Sequence, residues 1–264
     1  MKDSQALASV LAAQFSSFNC VRAVTVGGSL TSCLDDKYSD LDIYVYSDDD
    51  IAINARQEFI KLRSDRSEIN NMSWETGDEW IESATGIRVD VMYRRPQWIE
   101  QSLLDLLKYH RANIGYSTCL WHNVLNSLPV FDRSGWFAEM QNNSRQPYSK
   151  SLRAAIVLKN FPLLSDRLSS FENQAYYSAL RDDRIAVNHR VAGYVASFFD
   201  VLFAINYQAH PGEKRMAEHA KILPRQPDDW VNMMSDMIKL VPTGEGAELS
   251  KGMRGLTNGL RRVL

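Results

Sequence analysis

Three aspartates stand out by their type and spacing. Asp40 and Asp42 flank Leu41 at the head of an apolar stretch reaching Tyr46, and Asp90 stands alone within a second such stretch, Ile87 to Tyr93. Successive side chains of a strand point to opposite faces, so Asp40 and Asp42 project together while Leu41, Ile43 and Val45 enter the core. The second stretch repeats the alternation, with Val89, Val91 and Tyr93 on one face and Arg88, Asp90 and Met92 on the other. Two carboxylates in one small volume repel each other unless a cation sits between them. Their hard oxygens suit magnesium, which also takes up phosphate oxygens. On a neighbouring strand, Asp90 completes a cluster able to hold two magnesium ions, one activating an attacking oxygen and one neutralising a leaving group. Asp40, Asp42 and Asp90 are therefore the expected catalytic and metal-binding residues. Each has a plainer rival: a solvated strand edge after the polar loop 35–39 for the pair, and an ion pair with Arg88 or Arg94 for Asp90.

A second feature lies upstream. Val21 to Val26 reads as a strand and runs into Gly27-Gly28-Ser29, where missing side chains let backbone N–H groups approach a phosphate and Ser29 adds a hydroxyl. Gly28 and Ser29 are the expected nucleotide-phosphate contacts, with a simple turn as the competing role for Ser29. Lys214 and Arg215 follow Pro211-Gly212 where a helix should begin, a place where cations are unfavourable unless an anion is bound. Lys214 is expected either to reach a triphosphate or to pair with Glu213 or Glu218 at the surface.

The elements that must position these residues follow from periodicity. Ser4 can cap a helix with Leu7, Val10, Leu11 and Phe15 on one face, ending near Asn19. Strands 21–26 and 41–46, a helix 51–62, a strand 87–93 closed by Pro96 and a helix 98–111 complete most of a small mixed sheet flanked by helices. The intervening Trp74, Glu75, Gly77, Asp78, Glu79 and Trp80 read as a substrate-facing loop or a hairpin turn. From Pro147 onward nearly every segment has helical period, with Val191, Val195, Phe198, Phe199 and Leu202 the clearest face. The expectation is an α+β protein, with a catalytic domain over residues 1–140 and an α-helical bundle over 141–264.

The order strand, Gly-Ser, polar loop, Asp-x-Asp on a strand, then one further strand Asp resembles the nucleotidyltransferase superfamily of DNA polymerase beta, through Gly28-Ser29, Asp40-Leu41-Asp42 and Asp90. Within it, the size and helical second half resemble the aminoglycoside and lincosamide nucleotidyltransferases. The resemblance implies that Ser29 binds triphosphate, Asp40 and Asp42 hold magnesium, and Asp90 binds metal or takes the acceptor proton. It implies transfer of a nucleoside monophosphate, with AMP expected, from a nucleoside triphosphate to a hydroxyl of a small molecule such as an antibiotic, with release of pyrophosphate. If Asp90 is only a metal ligand, the acceptor proton goes to another acid, and Asp78, Glu79, Glu172 and Asp183 are the candidates.

Composition narrows the alternatives. The 264 residues are 45% hydrophobic and 23% charged with a net charge of -2, an ordinary globular balance without a surplus of cations for coating nucleic acid. Cys20, Cys33 and Cys119 are odd in number and lack CxxC spacing, which disfavours disulfides and a zinc cluster and suits a reducing cytoplasm. The histidines show no zinc-ligand spacing, and no stretch is long enough to span a membrane. Two rival functions stay open: nucleotidylation of a protein or RNA acceptor, and a nucleotide-binding sensor without turnover.

Overall fold

The computed structural model describes residues 2–28 and 40–264. They form two compact units, Met1–Leu104 with Asn123–Gln146, and Asp105–His122 with Pro147–Leu264. The fold class is α+β: a mixed sheet flanked by helices, followed by a helical C-terminal region.

The first unit is built on a six-stranded sheet of order β3-β4-β5-β2-β1-β6, where β1 is Val21–Val26, β2 Leu41–Ser47, β3 Ser67–Asn71, β4 Gly77–Ile81, β5 Arg88–Arg94 and β6 Leu128–Asp132. β2 and β5 run parallel, and the other neighbours run antiparallel. Helix α1 (Lys2–Ser16) lays Leu7, Leu11 and Phe15 on one sheet face, against Val24, Leu41, Ile43, Val45, Val89 and Val91. Each such fully buried aliphatic side chain stabilises the fold by about 1.5–3 kcal/mol, so this apolar face sets the register of every strand that crosses it.

The stretch from Trp74 to Trp80 resolves as a hairpin: β3 and β4 pair antiparallel. Helix α2 (Ile53–Lys61) contributes Arg56, whose guanidinium meets Asp78 at 2.7 Å with both side chains buried. The same carboxylate accepts from Asn70 N–H at 2.8 Å and from Tyr93 O–H at 2.7 Å. Asn70 has a φ of 59°, a left-handed kink in β3 that shifts its pairing with β4. On the second face, helix α5 (Trp136–Ser144) stacks Trp136 and Phe137 on Tyr46, with centroids 5.4 and 5.5 Å away. Helix α3 (Pro96–Leu107) follows β5, and α4 (Cys119–Asn126) precedes β6.

The second unit is helical: α6 Lys150–Ser165, α7 Phe171–Leu180, α8 Arg184–Ile205, α9 Met216–Ala220, α10 Trp230–Lys239 and α11 Gly246–Val263. The C-terminal half of α8 is buried on nearly all sides, as a sequence that is apolar except at Ser197 and Asp200 demands. Residues 105–122 join this unit through hydrogen bonds that a linear reading does not reveal. Ser117 donates its N–H and its hydroxyl to Asp200 at 3.0 and 2.6 Å, and Gly115 N–H donates to Asn160 at 2.9 Å. Burial pushes the Asp200 carboxyl up to about 6, against the opposing pull of the Ser117 bonds. Among the described residues no helix is long and apolar enough to cross a membrane.

Candidate active site

The sheet register brings two of the three expected aspartates side by side. Asp42 on β2 is the partner of Asp90 on the parallel strand β5. Continuing outward, Asp90 is the partner of Glu79 on β4, and Glu79 of Glu68 on β3. Because side chains alternate, all four carboxylates share the face opposite the α1 core and form one row across four strands. Tyr44 and Tyr46 of β2 and Met92 and Arg94 of β5 lie on that same face, farther along the strands.

Asp40 stands one row beyond, just ahead of β2. Its Oδ1 is shielded from solvent, has no hydrogen-bond partner among the described residues, and lies 3.6 Å from Arg88 Nε. Arg94 is committed elsewhere: its guanidinium binds Glu75 through two 2.8 Å bonds and lies 4.0 Å over the Tyr44 ring. Neither arginine flanking Asp90 therefore pairs with it, and among the described residues Asp90 has no ion pair. Partial burial, then the negative charges of Glu79, Asp42, Asp40 and Glu75, push the Asp90 carboxyl up to about 6. A half-buried acid surrounded by acids is an electrostatic deficit that a bound cation would relieve.

The glycine turn abuts this row. β1 pairs with β2 on the side away from β5, and Gly27 N–H donates to the Asp42 carbonyl at 3.0 Å. A Cβ at Gly27 would fall 2.3 Å from the Tyr44 ring. One at Gly28 would fall 1.7 Å from Asp42 Oδ2, and Gly28 also has a φ of +64°. Both glycines are thus required by close approach, and Gly28 by conformation as well. Ser29 lies outside the described residues. Lys214 belongs to the second unit, exposed just before the short helix α9.

Among the described residues no three His, Cys, Asp or Glu side chains stand in a ready-made metal-binding arrangement. What fits a metal is the donor chemistry: the row offers only carboxylate oxygens, which suit a hard ion such as magnesium and not zinc. A cleft of about 340 Å³ opens on this row, lined by Asp40, Glu68, Glu79 and Asp90 together with Arg66 and Arg88.

No family model matches the chain, and no curated protein matches it. Two solved structures are similar at low identity. One is a nucleotidyltransferase-like protein from Exiguobacterium sibiricum, 12% identical over 97% of this chain and 73% of that one, with a TM-score of 0.46. The other is the CCA-adding enzyme of Thermotoga maritima complexed with tRNA, 14% identical over 89% of this chain and 57% of that one, with a TM-score of 0.33.

Glu68 and Glu79 extend the acidic row beyond Asp42 and Asp90, the two motif aspartates that lie in it. For Glu79 the signal in the sequence is the alternation in Gly77-Asp78-Glu79-Trp80-Ile81, where Asp78 and Glu79 must face opposite ways, whereas Glu68 joins the row only through its pairing with Glu79. Asp78 takes the core side with the buried Trp80 and meets Arg56, far away in sequence.

Proposed function

We propose that the protein is a magnesium-dependent nucleotidyltransferase, moving a nucleoside monophosphate, AMP by expectation, from a nucleoside triphosphate to a hydroxyl of a small molecule. The observation that carries this reading is the registered pairing of Asp42 with Asp90 on adjacent parallel strands, beside the Gly27-Gly28 turn pressed against Asp42. Asp40, Asp42 and Asp90 would hold the ions. Bound magnesium supplies charge neutralisation at the triphosphate and activation of the attacking oxygen. The side-chain-free turn lets the backbone from Gly28 onward approach the phosphates, the Gly27 N–H being held by the Asp42 carbonyl, with Ser29 adding a hydroxyl. The acceptor oxygen forms a bond to the α-phosphorus, the bond from that phosphorus to the bridging β-oxygen breaks, and pyrophosphate leaves with both electrons. The hydroxyl proton passes to a nearby carboxylate or to water. Lys214 is proposed to aid nucleotide binding.

The test is incubation with each of the four triphosphates, magnesium and a panel of aminoglycosides, lincosamides and simpler polyols, read by mass spectrometry for a nucleotidylated product. Asp40→Asn and Asp42→Asn should abolish the product; full turnover in both removes the assignment.

A second reading has one observation in its favour. The near-neutral total charge is unevenly divided, with acids in excess in the first unit and Lys and Arg in excess in the second. A cationic unit suits a polyanionic acceptor such as an RNA end. Labelling of RNA from an α-labelled triphosphate, weakening steeply with salt, would favour it over the small-molecule acceptor.

A further inference from the structure

The acidic row has two sides with different surroundings. On the β1 side, Asp42 meets the Gly27-Gly28 turn, where backbone approach suits phosphate. On the β4 and β3 side the row continues into the cleft of about 340 Å³, whose lining includes Glu79, Glu68, Arg66 and Arg88. In-line transfer needs the attacking oxygen and the leaving pyrophosphate on opposite sides of the phosphorus, so a triphosphate seated at the turn leaves the acceptor to arrive from the cleft.

We infer that the cleft over β3 and β4 is the acceptor's seat and that Glu79 holds the acceptor hydroxyl there. The inference rests on the nucleotidyltransferase reading and adds to it a location and a residue. Four acids other than the metal-binding set were open to such a role by sequence, and the fold separates them. Asp78 faces the opposite side of the sheet and is saturated by Arg56, Asn70 and Tyr93. Glu172 is buried in the helical unit, where it accepts from Ser250 and Arg254 at 2.5 and 2.6 Å. Asp183 caps α8 by accepting from Ala186 N–H at 2.9 Å. Glu79 alone of the four stands in the row beside Asp90 and lines the cleft.

Glu79 is also held in place. The kink at Asn70 leaves Asn71 as the partner of Gly77, and its side-chain amide donates to Glu79 Oε1 at 3.1 Å and, more weakly, to Glu68 Oε2 at 3.5 Å. One Glu79 oxygen is thus anchored by a neutral donor while the carboxylate remains only partly buried at the cleft. A carboxylate fixed in this way accepts a hydrogen bond from an incoming hydroxyl at low entropic cost.

The test pairs a structure with kinetics. A crystal structure with magnesium and a non-hydrolysable ATP analogue should show the phosphates over Gly27-Gly28 and the cleft beside Glu79 open. Base or sugar filling the cleft would overturn the inference while leaving the nucleotidyltransferase reading intact. Failure of the wild type to bind magnesium and analogue at all would end the parent reading, and this one with it. With glycerol as a general hydroxyl probe, Glu79→Gln should lower glycerol-dependent kcat/KM by about tenfold or more while the analogue's Kd stays within about twofold. Equal glycerol dependence in both proteins, no glycerol product from the wild type, or a Kd weakened as much as in Asp90→Asn would each refute it.

Discussion

Asp78 and Asp90 lie on neighbouring strands of one sheet and face opposite ways, and their surroundings could hardly differ more. Asp78 is fully buried and takes three donors, from Arg56, Asn70 and Tyr93. Asp90 is half-buried, with Glu79 and Asp42 as its strand partners and no ion pair among the described residues. The first is a charge whose burial is compensated within the chain, where it ties α2 to the hairpin. The second is a charge that no ion pair among the described residues compensates, and that a bound cation would relieve. A buried acid marks structure when its donors are built in, and marks function when its nearest neighbours are other acids.

That contrast can be broken experimentally, most sharply through catalysis. Asp42→Asn and Asp90→Asn should each lower nucleotidyl transfer by about a thousandfold or more, since metal-held charge stabilisation amounts to several kcal/mol. Initial rates of pyrophosphate release check this, and retention of a tenth of wild-type turnover would contradict the role.

Asp78→Ala should act on stability instead. Removing one partner of a buried pair costs about 3–5 kcal/mol, because Arg56 is left buried and uncompensated. Thermal unfolding should show a Tm lower by roughly 10 °C. A Tm within 2 °C of wild type, taken as about the shift that 1 kcal/mol gives in a chain of this size, would show that the pair is replaceable.

Gly28→Ala probes the meeting of turn and acid. Its Cβ would be driven into Asp42 Oδ2, and the backbone there is left-handed. Turnover should fall by about a hundredfold with little change in Tm, since a misplacement near 1 Å is that costly to catalysis. A rate equal to wild type would mean that the turn does not set the position of Asp42.

The smaller effects concern charge. Because the folded Asp90 carboxyl is raised to about 6 from an ordinary value near 3.8, folding favours its protonated form. Its favourable contribution is complete below about pH 4 and is lost as pH rises through about 6. The metal-free protein should therefore gain about 1 kcal/mol at pH 7 from Asp90→Asn, a figure reduced for the solvent screening of a half-exposed group. Denaturant unfolding at pH 4 and pH 7 tests the sign: a destabilised variant at pH 7 would contradict it. For the same reason, activity should decline below about pH 6, where protons compete with metal. The smallest change is expected from Lys214→Ala, a rise of several-fold in nucleotide KM, as for the loss of one exposed charge-assisted contact. An unchanged KM would remove Lys214 from the nucleotide site.

Local pattern decided a good deal. Alternation in Leu41 to Tyr46 and in Ile87 to Tyr93 determined which residues face the core and therefore that Asp42 and Asp90 face away from it, because a strand has a period of two whatever its partners. Helical period from Pro147 onward likewise determined the character of the second half. Tertiary structure alone decided which strands are neighbours, and so that Asp42, Asp90, Glu79 and Glu68 form one row. It decided too that residues 105–122 belong with the helical unit, through donors to Asp200 and Asn160 that are distant in sequence. The physical reason is that periodicity is a property of the backbone of each element. Partnership and charge compensation depend on which elements the hydrophobic core draws together.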